Sequence, residues 1–467
     1  MTQDRMTLAS AGGLMMIAAL GASILHEFSG QEVLALFAGA FAAIGIAAYW
    51  PGIAWSRRAF VLIGLGLLAL SAVTQDDWRE TAALGLQKAG FIAGFFTAMT
   101  AMRAAAIGSP GILECGRFLS GQPPGRRYLA LTLGGHLFGL VLMYGSIALL
   151  GALATEAAEK EPNEEIRRHR KRRMLVAIQR GFISTLPWSP LAFASAITLS
   201  LVPGADWARA VPYCLVSALL LAGIGWALDT LFKPKLSVPM PRQAAEGQWL
   251  KRLRPLLNLL VVLVLLVGAV HYLTGVRIVG VVMIVVPVVA LIWVAFQAGA
   301  GPSALHAGQR AADFALRDLP RQRSEVVLLV MAAFIGTVGG HLAAPAVAAM
   351  GLDLGRVPTP LLLLGLFWLI PLTGQIGMNP ILAVALIAPL LPAPSEMGVS
   401  ASVVVVTITS GWALSGATSP FTASTLLIGS YGKVDARLVG LVWNGAYALV
   451  CGSVLSLWIL ALAMFTG

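Results

Sequence analysis

A succession of apolar runs of about 20 residues, the length that crosses a bilayer as a helix, constrains this chain more than anything else in it. The runs fall near 8–25, 32–50, 59–74, 83–107, 174–202, 209–231, 255–273, 276–297, 325–350, 400–430 and 437–465. Backbone groups in hydrocarbon must be satisfied within their own segment, so such runs fold as helices. Charged residues are 11% of the chain and hydrophobic ones 58%, whereas soluble domains carry roughly 25% charged residues. The expected fold class is an all-α polytopic membrane protein with about eleven transmembrane helices. Cys115, Cys214 and Cys451 are scattered and show neither a disulfide framework nor a metal spacing.

Two further runs, about 128–156 and 359–393, are interrupted. The first breaks at Tyr144–Gly145–Ser146, the second at Thr373–Gly374–Gln375 and again at Gly377–Met378–Asn379–Pro380. Basic residues concentrate on the cytoplasmic side of membrane proteins, which decides between a long helix and a hairpin. The stretch Lys160–Arg173 and the 232–254 loop (Lys233, Lys235, Arg242, Lys251, Arg252, Arg254) read as cytoplasmic loops. So do Arg117, Arg126 and Arg127 ahead of the first interrupted run, which therefore starts and ends inside as a re-entrant hairpin. Arg310, Arg317, Arg321, Arg323, Lys433 and Arg437 place the second interrupted run outside at both ends, where Asp353, Arg356 and Glu396 flank it. With this assignment 26 of the 32 basic residues lie inside, Arg79, Arg209, Arg277 and Arg356 lie outside, and Lys88 and Arg103 fall within a span. The net charge of +11 is thus explained by topology rather than by nucleic acid, and the N-terminus is cytoplasmic. Lys88 and Arg103 suggest that 83–107 is a partly interfacial, amphipathic helix.

The resulting order repeats with the sides reversed, which is an inverted repeat. Residues 1–30 form an extra N-terminal span and 31–231 the first repeat, with its hairpin at about 128–156 and a broken helix at about 174–202. A cytoplasmic linker at 232–254 leads to the second repeat at 255–467, with its hairpin at about 359–393 and a broken helix at about 400–430. The breaks are read from GFISTLPWSPLAFASAI at 181–197 and GWALSGATSPFTASTLL at 411–427. A shift of 230 positions superposes Gly181 on Gly411 and Ser189–Pro190 on Ser419–Pro420, with three identities in seventeen. Proline removes an amide donor and clashes with the preceding turn, so both helices open there. Paired Gly/Pro-interrupted segments in two halves point to a transporter's binding site.

Opened helix ends present amide N–H groups, suited to an anionic or polar solute, and carbonyls, suited to a sodium ion. Candidate solute-binding residues are Ser146, Ser184, Thr185, Ser189, Gln375, Asn379, Ser415, Thr418 and Ser419, with sodium near Gly145, Gly377 or Gly416. Neither break nor hairpin tip contains Asp or Glu, which favours sodium over proton coupling. No other cofactor is implied. His136 and His341 each follow a Gly-Gly pair and read as packing histidines. Arg180 reads as snorkelling to the interface, with attraction of an anion as its other reading. The run Arg167–Arg173 could meet anionic lipid, although topology accounts for it. No Walker loop or clustered catalytic set is present, which argues against ATP-driven transport and against an enzyme. An ion channel, which needs no mirrored halves, is the alternative from another class.

Two inverted halves, each with a hairpin followed by a broken helix, resemble the ion transporter superfamily of divalent-anion/sodium symporters and their arsenite- and citrate-transporting relatives. The resemblance implies hairpin tips and helix breaks meeting at mid-membrane, an elevator-type movement, a homodimer and a bacterial inner-membrane location. Those symporters carry Ser-Asn-Thr at each tip; here the tips read Gly145–Ser146–Ile147 and Gly377–Met378–Asn379–Pro380, so solute identity does not carry over. The expected function is sodium-coupled secondary transport of a small anionic solute. An efflux permease for a toxic oxyanion, or a cation/proton antiporter of the same superfamily, is the runner-up.

Overall fold

The computed structural model describes residues 2–107, 109–233, 236–237, 247–297, 304–350 and 354–465. Lys235, Arg242 and Asp353, which the topology argument used, lie outside them. The helices in chain order are α1 (Thr2–Ser29), α2 (Glu32–Tyr49), α3 (Trp55–Thr74), α4 (Trp78–Ile107), α5 (Pro110–Ser120), α6 (Pro124–Leu142), α7 (Tyr144–Glu159), α8 (Glu164–Ile183), α9 (Phe193–Leu201) and α10 (Trp207–Leu231). They continue as α11 (Trp249–Thr274), α12 (Ile278–Phe296), α13 (Ala304–Asp313), α14 (Leu319–Arg321), α15 (Arg323–Ala349), α16 (Thr359–Gln375), α17 (Pro380–Ile387), α18 (Ala401–Thr418), α19 (Ala423–Gly432) and α20 (Gly445–Phe465). Among the described residues there is no strand, and ten helical segments are long and apolar enough to cross a membrane. The chain is an all-α polytopic membrane protein.

The helices pack as two compact units, each drawing on both halves of the sequence. One comprises Met1–Gly108, Leu263–Arg356 and Ile381–Pro392. Its centre is α4, whose residues Ala89–Thr100 are all buried. The amphipathic reading of this segment is therefore corrected. Small residues explain the burial: Gly90 lies against the backbone of Ala38 and Gly39, and Gly39 against that of Leu86, so α2 and α4 touch main chain to main chain. In the same unit α3 leaves Leu62, Ile63, Leu65 and Val73 exposed, an apolar face suited to lipid.

The second unit comprises Ser109–Val262, Val357–Pro380 and Ala393–Gly467. It contains α5–α10, α16, α18–α20 and the beginning of α11. The basic stretch expected as a loop up to Arg173 is instead the first turns of α8. Asn163 caps that helix by accepting from the Ile166 amide at 3.1 Å, and Glu164 and Glu165 occupy its first turn. The first interrupted run folds as α6 and α7 joined through Met143, just ahead of the expected Tyr144–Gly145–Ser146. A Cβ built on Gly134 would meet Leu150, which shows α7 returning along α6. The second interrupted run departs further from expectation. Thr373–Gly374–Gln375 remains helical, and the chain opens only at Ile376–Asn379, turning at Gly377 with φ +89°. Past Pro380 the returning arm belongs to the first unit, where Ala385 packs on Gly336.

Two matched helix breaks form the candidate site

Both Ser-Pro segments interrupt their helices. α8 stops at Ile183 and α9 begins at Phe193, while α18 stops at Thr418 and α19 begins at Ala423. Proline is the cause: Pro187 and Pro190 in the first break, and Pro420 in the second, cannot donate to the preceding turn. The residue before it is pushed to extended geometry, as Ser419 shows with φ −69° and ψ 124°. Several hydrogen bonds recur at the 230-residue shift, although the first helix unwinds five residues earlier than the second. Ser189 N donates to Thr185 O at 3.0 Å, and Ser419 N to Ser415 O at 2.9 Å. Leu191 N donates to Ser189 Oγ at 3.2 Å, and Phe421 N to Ser419 Oγ at 3.3 Å. Ala196 N reaches Ala192 O and Leu426 N reaches Thr422 O, both at 3.0 Å. Three identities in seventeen thus accompany a shared set of hydrogen bonds around each Ser-Pro pair.

The helix packed against each break follows the same rule. Gly181 of α8 presses on the backbone of Thr132 in α6, and Gly411 of α18 presses on that of Phe367 in α16. A turn further on, a Cβ on Gly139 would sit 3.1 Å from the Thr185 side chain, and one on Gly374 would sit 2.6 Å from Ser415 Oγ. At Gly181 and Gly411, where the opposing atoms are backbone, only glycine permits the approach. The two breaks also touch each other: a Cβ on Gly416 would meet Ile183 at 3.2 Å and Leu186 at 3.4 Å.

The predicted hydroxyls fall into two groups within this unit. Around Gly374, Ser419 Oγ donates to the Gly374 carbonyl at 2.6 Å, and Gln375 Nε2 lies 3.4 Å from Thr418 Oγ1. Ser415 Oγ, buried beside Gly374, has no hydrogen-bond partner. Asn379 is half-buried on the open stretch that follows. At the other break, Ser184 Oγ donates to Gly181 O and contacts His136 Nδ1, both at 2.7 Å. The hydroxyl proton is committed to Gly181, so the ring nitrogen carries the hydrogen of the second bond. His136 also stacks on Trp188 with centroids 5.7 Å apart. Thr185 bonds back to Phe182 O at 2.7 Å, and Ser189 caps its own break. Ser146 bonds to Met143 O at 2.7 Å, within its own turn. His341, in the other unit, bonds to Thr337 O one turn back.

Among the proposed sodium positions, Gly145 lies in the first turn of α7 and Gly377 in an exposed turn. The Gly416 carbonyl already accepts from Ser424 Oγ at 2.5 Å and from Gln179 Nε2 at 3.3 Å. Both of its lone pairs are therefore engaged.

Sequence reasoning missed the polar network that ties these elements together. Gln179 Nε2 reaches the Gly416 and Ala417 carbonyls at 3.3 and 3.4 Å, and its Oε1 accepts from Asn444 Nδ2 at 3.0 Å. Arg180 does not snorkel. It is 6% exposed, donating to Asn444 Oδ1 at 3.0 Å, Tyr128 Oη at 3.1 Å and Trp443 O at 3.3 Å. Its guanidinium lies 4.2 Å from the centre of the Tyr447 ring. The available signal was Asn444, a lone amide in the apolar run 437–465.

No protein-family profile matches the chain, and no curated protein matches it by sequence. Solved structures do. The Alcanivorax borkumensis YdaH transporter, described as having an unusual topology, superposes with a TM-score of 0.58 at 15% identity, covering 87% of this chain and 97% of its own. Neisseria gonorrhoeae MtrF, described as illuminating a class of antimetabolite efflux pumps, superposes with a TM-score of 0.54 at 15% identity, covering 89% and 97%. This chain has the fold of those two proteins over nearly their whole length.

Proposed function

We propose that the chain is a secondary transporter that carries a small anionic solute by alternating access, with sodium as the coupling ion. One observation carries the reading: two Ser-Pro helix breaks that share several hydrogen bonds abut within one compact unit. Beside them the buried Ser415 Oγ lacks a protein partner. A buried hydroxyl without a partner is destabilising unless a ligand completes it. The N-caps of α9 and α19, Ala192 and Thr422, make no side-chain capping bond. The first-turn amides thereby remain oriented for negative charge. A sodium ion would take the Gly416 carbonyl only after Ser424 or Gln179 turns away, which ties ion binding to movement at the break.

In this reading the α6–α7 pair and the α16–α17 turn are re-entrant, the halves are inverted, and the unit holding the breaks moves in elevator fashion within a homodimer. The N-terminus is cytoplasmic and the membrane is a bacterial inner membrane. Sharing a fold with YdaH and MtrF supports a carrier over a channel or an enzyme. MtrF's description also supports a second reading, export of an antimetabolite or another toxic anion.

The test is counterflow in proteoliposomes, after carboxylates and oxyanions have been screened by thermal shift with and without sodium. Saturable, sodium-dependent exchange is the expected outcome. Unsaturable flux would sink the carrier, and exchange indifferent to sodium would remove the coupling ion. Ser415→Ala is expected to leave the melting temperature unchanged or raised, because it removes a buried hydroxyl with no partner to lose, and to lower transport about tenfold. Unaltered transport in that variant would take Ser415 out of the site.

A further inference from the structure

The basic start of α8 lines a cleft. This small cleft lies between the first turns of α6 and α8, partly open to solvent, and is lined by Arg127, His169, Arg170 and Arg173 beside Tyr128. Arg127 is only 6% exposed, and its Nε donates to Gln122 O at 2.7 Å. Arg173 is fully committed, gripping Asp229 at 2.8 and 2.6 Å through Nε and Nη2. Arg170 is different. Its ion-pair partner Glu161 stands 3.9 Å away, and its buried Nε has no acceptor.

Three guanidinium groups around one cleft repel each other, and a buried N–H without an acceptor is costly. An oxyanion in the cleft would offset that repulsion. Arginine forks approaching from different helices suit a ligand with several oxygens better than a planar carboxylate. Ile166, Met174 and Leu236 form the apolar part of the wall.

We propose that this cleft, apart from the helix breaks, binds a phosphate group held chiefly by Arg127 and Arg170. The phosphate belongs either to an anionic lipid headgroup or to a soluble phosphate. The cleft's wall adjoins the transport network, because Tyr128 Oη accepts from Arg180.

The full-length protein in phosphatidylcholine nanodiscs is melted in two arms. In one, inorganic phosphate replaces chloride at constant ionic strength; in the other, phosphatidylglycerol replaces part of the phosphatidylcholine. A rise of about 3 °C or more is expected in at least one arm, since a ligand that binds only the folded state stabilises it. A response to phosphatidylglycerol alone identifies the lipid source, and a response to phosphate alone the soluble one. Arg170→Gln abolishes the shift, whereas Arg168→Gln, the same charge change at an exposed neighbour in the run, keeps it. Should Arg170→Gln fail to fold, Arg170→Lys carries the test: it keeps the charge, loses the fork, and weakens apparent affinity about threefold or more. No shift in either arm, wild-type affinity in Arg170→Lys, or equal loss in the 168 and 170 glutamine variants overturns the proposal.

Discussion

The two broken helices share one backbone plan and differ in what lies a turn below the break. In the first, Gln179 and Arg180 face Asn444 and Tyr447, with bonds of 3.0 Å between the amides and a cation–π contact at 4.2 Å. Shifted by 230 positions, the same four places are Thr409, Ser410, Cys214 and Ser217. They pair in the same way, Thr409 with Cys214 and Ser410 with Ser217, the latter at 3.1 Å. One contact pattern therefore serves twice, once with a buried guanidinium and once with small neutral groups. The same contact geometry thus accommodates both a charged and a neutral set of side chains. Of these paired residues, Arg180 alone carries a charge.

The equivalence itself is open to attack at the glycines. Gly181→Ala and Gly411→Ala each drive a methyl group into a backbone that cannot rotate away. Each is expected to cost about 3 kcal/mol or more, read as loss of the thermal transition in detergent. A large loss in one variant and none in the other would show that the two packings are not alike. The side-chain difference gives the next largest effect. Arg180→Met strands the acceptors of Asn444, Tyr128 and Trp443 and should cost about 2–3 kcal/mol. Ser410→Ala should cost about 0.6 kcal/mol, the usual worth of a polar contact between membrane helices. Equal losses would erase the distinction drawn between the halves.

Smaller still is the difference between the two capping serines. Ser419 caps its break and also bonds to Gly374, whereas Ser189 only caps. Ser419→Ala should therefore lose about 2 kcal/mol and Ser189→Ala about 1, measured by the same melting experiment. The turns that follow the packed arms give the finest test. Met143 holds φ +52° where the second half has Gly377 at φ +89°. Met143→Gly should be neutral or stabilising by up to about 1 kcal/mol, and Gly377→Ala should destabilise by about 1 kcal/mol.

The sequence carried the break positions and their pairing, because proline acts locally and Gly181, Ser189 and Pro190 recur at the 230-residue shift. It also carried the α6–α7 turn to within a residue. It did not carry the extent of α16, where Gly374 and Gln375 read as a breaker and a polar tip but remain helical, the glycine making room for Ser415. Nor did it carry the burial of α4. Charges at Lys88 and Arg103 suggested an interfacial face, whereas Gly39, Gly85 and Gly90 let neighbouring helices close over it. Arg180 was misread for a related reason. Two of its three acceptors lie more than 260 residues away at Trp443 and Asn444, and no local pattern reports a partner that distant.

The main-chain contacts at Gly181 with Thr132, and at Gly411 with Phe367, have a mechanical consequence. Helices that slide need side chains between them that can exchange rotamers, and here carbonyl oxygen rests where such a side chain would be. Each interrupted helix is therefore welded to its partner arm. Displacing one without the other would tear the seam, so the pair is obliged to travel as a single piece.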